Sequence, residues 1–168
     1  MASLIGFPDP VDEVSARLVA VGVVVLSATA IALDQPWLIV VIAYGFVARV
    51  LTGPKLSPLG LIVTRLVRPR LPIAPRPVPG PPKRFAQGMG VAFSVTAAVL
   101  AVGFGLRGAG YAVLGLLIVA ATLESVVGLC LGCRIFAVLM RIGVIPEEVC
   151  LRCRELDLGR SARSARAA

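Results

Sequence analysis

A chain of 168 residues, 58% of them hydrophobic and with a mean hydropathy of +0.93, is too apolar for an ordinary water-soluble domain. Histidine is absent, which removes the commonest general base and every mixed Cys/His metal site. The net charge of +8 suits a nucleic-acid binder in size, but the bases gather in one connection between apolar runs, and no nucleic-acid partner is expected.

Asp9, Asp12 and Glu13 precede the first apolar run, where a secretory signal would carry bases, so the run at about 14–33 is expected to be a retained helix. Three further runs, at about 37–52, 85–106 and 110–129, are long enough, or nearly so, to cross about 30 Å of hydrocarbon at about 1.5 Å per residue. The expected fold is therefore all-α, an integral membrane protein with four transmembrane helices. Between the second and third runs lie Arg49, Lys55, Arg65, Arg68, Arg70, Arg76, Lys83 and Arg84, with no acidic residue among them. The opposite connections, ALDQPW and RGAG, carry none and one. This asymmetry places the 53–84 loop, both termini and all four cysteines on the cytoplasmic side of the membrane.

Inside the basic loop, Ser57 as N-cap with Pro58 at the first helical position predicts a short helix. Its Leu59, Ile62 and Leu66 share a face while Arg65 and Arg68 lie elsewhere, which suits an interfacial helix lying against anionic lipid headgroups. The segment RPRLPIAPRPVPGPP holds seven of the thirteen prolines and predicts a stiff, extended strap without regular hydrogen bonds. Beyond Leu129 the helical pattern runs on through CLGCRIFAVLMRIG, so Cys130 is expected near the C-terminal end of a helix. Pro146, Glu147 and Glu148 read as the first turn of another. The two arms, 130–140 and 146–158, form a cytoplasmic C-terminal helical hairpin. Residues 1–158 make one four-span domain, with cysteines in its 130–158 segment, and 159–168 is a disordered basic tail.

The four cysteines form two identically spaced pairs, Cys130 with Cys133 and Cys150 with Cys153. Sixteen residues separate them, inside the window for a four-thiolate zinc site, and such a site would serve a non-enzymatic membrane scaffold. The other reading is thiol redox chemistry, which needs a thiolate. Thioredoxin-type pairs obtain one by placing the first cysteine at a helix N-terminus. By that criterion Cys150, near a helix start with Arg152 and Arg154 beside it, is the attacking thiol and Cys153 the resolving one, with Cys130 and Cys133 as the membrane-side pair. In an antiparallel hairpin Cys133 and Cys153 would lie level, favouring exchange between the pairs over a tetrahedral metal site.

Glu124 interrupts the fourth apolar run, and an ionisable residue at such depth is expected to be functional or paired. Counting inward, Arg49 lies at equal depth on a parallel run, so the two are expected to form a structural ion pair. A small carrier using Glu124 is a third functional class.

The segments GFPDPVDEVSARLVA, FVARVLTGPKLSPLGLIVTRLV, PGPPKRFAQGMG and LESVVGLCLGCRIFAVLMRIGVIPEEVC, in that order, resemble the bacterial membrane family called domain of unknown function 4395. The resemblance is carried most distinctively by PPKRFAQ and CLGC, and covers the chain from Gly6 to about Cys153. It implies an origin in actinobacteria or related groups, and thioredoxin-like or thiosulfate sulfurtransferase proteins as partners. It thereby implies thiol or sulfur chemistry in preference to zinc, at Cys130, Cys133, Cys150 and Cys153, with the basic Lys83 and Arg84 also in its pattern.

Overall fold

The computed structural model describes residues 9–150. Cys153, the hairpin arm beyond residue 150 and the 159–168 tail lie outside them.

Helix α1 (Glu13–Ala32) opens at Asp12, whose carboxylate accepts from the Val14 and Ser15 amides and so satisfies donors that have no partner inside the helix. Two residues before it, Val11–Asp12 (β1), pair antiparallel with Pro77–Val78 (β2), Val11 opposite Val78 and Asp12 opposite Pro77. Contrary to the expectation from its composition, the proline-rich strap thus makes regular hydrogen bonds near its end. Its end is stitched to the start of α1, and Glu13 adds a backbone bond to the Arg76 carbonyl. Asp12 holds the same segment at two points and its own helix at a third. It accepts from the Arg76 amide at 3.1 Å, from Arg68 Nε at 2.7 Å and from the Ser15 hydroxyl at 2.8 Å.

Helix α2 (Trp37–Thr52) matches its expected bounds. After a tight turn over Gly53–Lys55, Ser57 caps α3 (Pro58–Ile62) by accepting from the Gly60 amide, as its sequence predicts. The helical path then widens over Val63–Val67 and tightens over Arg68–Arg70. Helix α4 (Gly80–Ala98) begins five residues earlier than hydropathy suggested, with Pro81 and Pro82 tolerated in its first turn because those amides need no helical partner. It runs on in a wide turn to Gly103. Helix α5 (Arg107–Thr122) likewise continues to Val127, and α6 (Leu131–Arg141) follows.

Among the described residues four helical stretches are long and apolar enough to cross a membrane: Glu13–Ala32, Trp37–Arg70, Gly80–Gly103 and Arg107–Val127. They close a ring in which α1 packs on α2, α2 on α4, α4 on α5 and α5 on α1. Val23, Ile39, Ile42, Phe46, Ala97, Leu114 and Leu117 fill its interior. Its outer faces are apolar too, with Val25, Tyr44, Val102, Leu116 and Val119 among the exposed side chains, the all-round hydrophobicity of helices compatible with a multi-pass membrane protein. At one end of the ring Asp34 accepts from Arg107 and Tyr111, tying the α1–α2 turn to α5. At the other end α6 lies against α4, burying Phe136 beside Phe85, with ring centroids 5.7 Å apart. Leu131, Ile135, Val138 and, just past the end of α6, Ile142 are exposed in one helical stripe.

Burial raises the Asp12 pKa, but the bonds from Arg68, Ser15 and the Arg76 and Ser15 amides outweigh it and hold the carboxyl at about 2, against 3.8 for an ordinary aspartate. A depressed folded-state value stabilises above the unfolded pKa and ceases to do so as pH falls through the folded one. Asp12→Asn should therefore destabilise the detergent-solubilised protein by about 1 kcal/mol at neutral pH, after allowance for solvent screening. Thermal unfolding followed by circular dichroism should show that deficit shrinking between pH 3.8 and about 2.

Candidate functional site

The end of the ring that carries α6 gathers most of the buried charge. Lys83, in the first turns of α4, is 8% exposed and donates from Nζ to Glu124 Oε1 at 2.7 Å. An ammonium near a helix N-terminus opposes the helix dipole, and the carboxylate offsets that cost. Glu124 thus makes its direct contact with Lys83, while Arg49 and Glu124, expected to form an ion pair, make no contact within 4 Å and interact only through their charges. The physical reason is the helix order. The equal depth was counted along each helix, but α2 and α5 stand across the ring from one another, each packed on α1 and α4. Lys83 is on a neighbouring helix and reaches first. Arg49 is also buried, at 5% exposure. Its Nε donates to Gln87 Oε1 at 2.9 Å, its Nη1 donates to the Ser57 hydroxyl at 3.2 Å, and its guanidinium lies 4.3 Å over the Phe46 ring. Ser57 therefore has two tasks, since the hydroxyl that caps α3 also receives Arg49.

The larger departure from the sequence reading concerns Cys130. The helical pattern does not run through it. Gly128 adopts a left-handed conformation, φ +73°, and both its amide and that of Leu129 donate to the Leu123 carbonyl, which ends α5 in a wide turn. Arg17 packs over the place where a Cβ at Gly128 would project, so a side chain there is opposed both by conformation and by contact. The break leaves Cys130 in extended backbone as the N-cap of α6, with Cys133 three residues on in its first turn. Cys130 thus sits at a helix N-terminus, not a C-terminus. Gly132, between them, lets α6 approach α4, because a Cβ there would come within 2.5 Å of Ala86.

Both thiols are free and half-buried. Cys133 Sγ donates to Cys130 Sγ at 2.9 Å, about 0.9 Å longer than a disulfide bond. That hydrogen bond is the largest influence lowering the Cys130 pKa. Burial and the Glu124 carboxylate oppose it, while the Lys83 charge and the Cys133 amide assist, and the net direction is down. The hydrogen bond to Cys130, burial and the nearby Cys130 charge push Cys133 up. Between them the pair gives one sulfur that ionises early and a neighbour that keeps its proton, the division of labour expected of an attacking and a resolving thiol.

Cys150, at the end of a short turn over Glu147–Cys150 that packs on α4, is 3% exposed and disulfide-bonded. Among the described residues no three Cys, Asp or Glu side chains are grouped to hold a metal ion. The role expected of Cys153 lies outside the described residues.

Beside the thiol pair and the buried charges is a cavity of about 320 Å³. Cys130, Glu124, Arg49 and Gln87 contribute its polar lining, and side chains such as Val23, Phe93 and Leu117 its apolar body. A second cavity of about 230 Å³ lies beyond Arg49 and Gln87, which line both, and reaches Asp12 and Thr64. Lys83 and Ser57 were singled out in the sequence for other reasons, and Gln87 only as part of PPKRFAQ, so what sequence reasoning missed is that Lys83 pairs with Glu124 and that Gln87 and Ser57 receive Arg49. The spacing of Lys83 and Gln87, one helical turn apart after Pro81 and Pro82, was the available signal that they share a face of α4.

A sequence model of the family described as Domain of unknown function (DUF4395) matches residues 11–141, more than half of the chain, and the chain belongs to that family. The matched region includes Arg49, Lys83, Glu124, Cys130 and Cys133. No curated protein and no solved structure matches the chain.

Removing one partner of a buried ion pair leaves an uncompensated charge. Lys83→Met alone should cost about 3 kcal/mol, and the double variant Lys83→Met, Glu124→Leu should recover about 1–2 kcal/mol of it. Unfolding midpoints of the purified variants in detergent micelles check this, and additive losses would show that the two groups are not coupled.

Proposed function

We propose that this chain is a membrane-anchored thiol–disulfide relay in which Cys130 attacks and Cys133 resolves, serving a soluble thioredoxin-like or sulfurtransferase partner. The observation that carries the reading is the free thiol pair, 2.9 Å apart at the N-terminus of α6. The attacking role passes from Cys150, the choice made from sequence, to Cys130, because Cys150 is buried and disulfide-bonded while Cys130 is half-exposed and biased toward its thiolate. Lys83 and Glu124 serve as positioning residues. The ammonium stabilises the thiolate, and the carboxylate holds the ammonium in place.

In one exchange the Cys130 thiolate attacks a sulfur of the partner's disulfide, forming a mixed disulfide and releasing the partner's other sulfur as a thiolate, which takes a proton. Cys133, on losing its proton, then attacks Cys130 Sγ. The Cys130–Cys133 disulfide forms, and the partner leaves with both of its thiols reduced. The reverse sequence passes oxidising equivalents outward, and the relative potentials of the two pairs set the direction.

The setting we propose is a bacterial plasma membrane crossed four times. The basic segment between Arg49 and Arg84 and both chain ends would be cytoplasmic, with α3 against anionic headgroups. The uneven distribution of bases supports it, and so does the apolar outer surface of the ring. Reporter fusions after residue 168 should be active when the reporter requires the cytoplasm and silent when it requires export. The opposite pattern overturns the orientation.

The chemistry has its own test. Cys133→Ser should accumulate a mixed disulfide between Cys130 and an added thioredoxin-like protein on non-reducing gels, and Cys130→Ser should accumulate none. Alkylation of Cys130 should keep its rate down to a pH below the ordinary thiol range near 8.5 and slow as the thiolate protonates. Equal trapping by both variants, or alkylation with an ordinary thiol midpoint, would remove Cys130 as the attacking residue.

A further inference from the structure

A dithiol that gives electrons in turn needs something to receive them, and the cavity beside Cys130 has the characteristics of such a site. Its body is apolar, as a ligand delivered from hydrocarbon would require. It also reaches the outside of the ring. Leu116 and Val119 line it and are 59% and 58% exposed on the outer face of α5, so its flank opens sideways toward whatever surrounds the bundle. Its polar lining consists of Arg49, Gln87, Glu124 and Cys130, and the first two offer donors. The guanidinium of Arg49 and the amide of Gln87, hydrogen-bonded to each other, both face this space, and Phe46 under the guanidinium supplies an aromatic wall. A planar ring bearing carbonyl oxygens fits that arrangement better than an acyl chain does. Its oxygens would accept from Arg49 and Gln87, its faces would lie against Phe46 and Phe93, and an apolar tail would leave by the α5 flank. The volume, about 320 Å³, is at the lower end of the range for small-molecule pockets and large enough for one substituted ring.

We propose that this cavity binds a lipid-borne quinone, which oxidises the Cys130–Cys133 pair. The inference rests on the relay reading above and names the electron acceptor at the same site. The balance is closed. Two S–H bonds break and one S–S bond forms between Cys130 and Cys133, while two electrons and two protons pass to the ring, whose carbonyl oxygens become hydroxyls. Cys130, which lines the cavity, is the sulfur that meets the quinone, and Cys133 closes the disulfide from the side away from it. The quinol leaves by the route the quinone entered. A soluble partner's thiols can then reduce the disulfide again, so electrons run from the cytoplasmic partner to the membrane pool.

The test uses the full chain in phospholipid nanodiscs and decylubiquinone, whose fully substituted ring resists thiol addition. The reduced protein should convert one equivalent of quinone to quinol, read by ultraviolet absorbance, with loss of the free thiols at Cys130 and Cys133. Ala120→Phe, which fills the cavity from α5, should slow this about tenfold or more, chiefly through a raised KM. Because a bulky side chain can unsettle the fold, Gln87→Leu gives a second variant of similar volume that removes a donor and should weaken quinone binding in the same direction. Cys130→Ser should still show a quinone-dependent rise in unfolding temperature while reducing none of it. A protein that exchanges disulfides with the thioredoxin-like partner yet leaves the quinone oxidised overturns this inference and leaves the relay standing. A protein that does neither removes both. Quinone reduction equally fast in wild type, Ala120→Phe and Gln87→Leu would show reaction outside the cavity, and would overturn the binding site.

Discussion

The Lys83–Glu124 pair is the constraint on which the rest of this end of the molecule depends. A charge in so apolar a bundle is costly unless its partner is fixed at hydrogen-bond distance, so the pair sets the relative heights of α4 and α5. Fixing α5 fixes where its last turn ends. The Gly128 break therefore delivers Cys130 to one height, beside the same ammonium that pairs with Glu124. A single cation thus faces two acidic groups, the Glu124 carboxyl and the Cys130 sulfur. When the sulfur is neutral the ammonium belongs wholly to Glu124. When it ionises, the ammonium is shared, and a reaction that consumes the thiolate returns the pair to its resting arrangement.

Arg49 plays a different part, because no carboxylate is within salt-bridge distance of it among the described residues. Its charge is dispersed over Gln87, Ser57 and the face of Phe46. Delocalised guanidinium tolerates such surroundings better than an ammonium would, which accounts for arginine at this position and lysine at 83. The network also joins elements remote in sequence. Ser57 belongs to the cap of α3, Arg49 to α2 and Gln87 to α4, so the short helix after the second apolar run is held to the bundle by a polar contact as well as by packing.

Legibility in the sequence followed the dimensionality of each question. Four apolar helices and the Ser57 cap are one-dimensional properties, and hydropathy and turn chemistry along the chain gave them correctly. The partner of Glu124 depends on which helices are neighbours around the ring, and nothing in a count of depth carries that. Lys83 was hidden for a related reason. It was read among the loop bases because the apolar run begins at Phe85, whereas the helix begins at Gly80 with its prolines in the first turn. The end of α5 misled because hydrophobic periodicity continues across Gly128 even though the backbone does not, and one left-handed residue turns a C-terminus into an N-cap for Cys130. The pairing of Val11 with Val78 joins residues across more than sixty positions of chain and left no local signal in either segment.

In the proposed setting the exposed stripe of Leu131, Ile135, Val138 and Ile142, with Arg134 and Arg141 exposed alongside it, would give α6 a preferred depth in the bilayer surface. Since Cys130 begins this helix, the depth of α6 also sets how much water reaches the sulfur. In the proposed setting the thiol is then sensitive to the lipid around it. A change in headgroup charge or surface packing that lifts or sinks α6 by a few ångströms would alter the hydration of Cys130 and with it the fraction ionised. The relay would respond to the state of the membrane without any ligand binding to it.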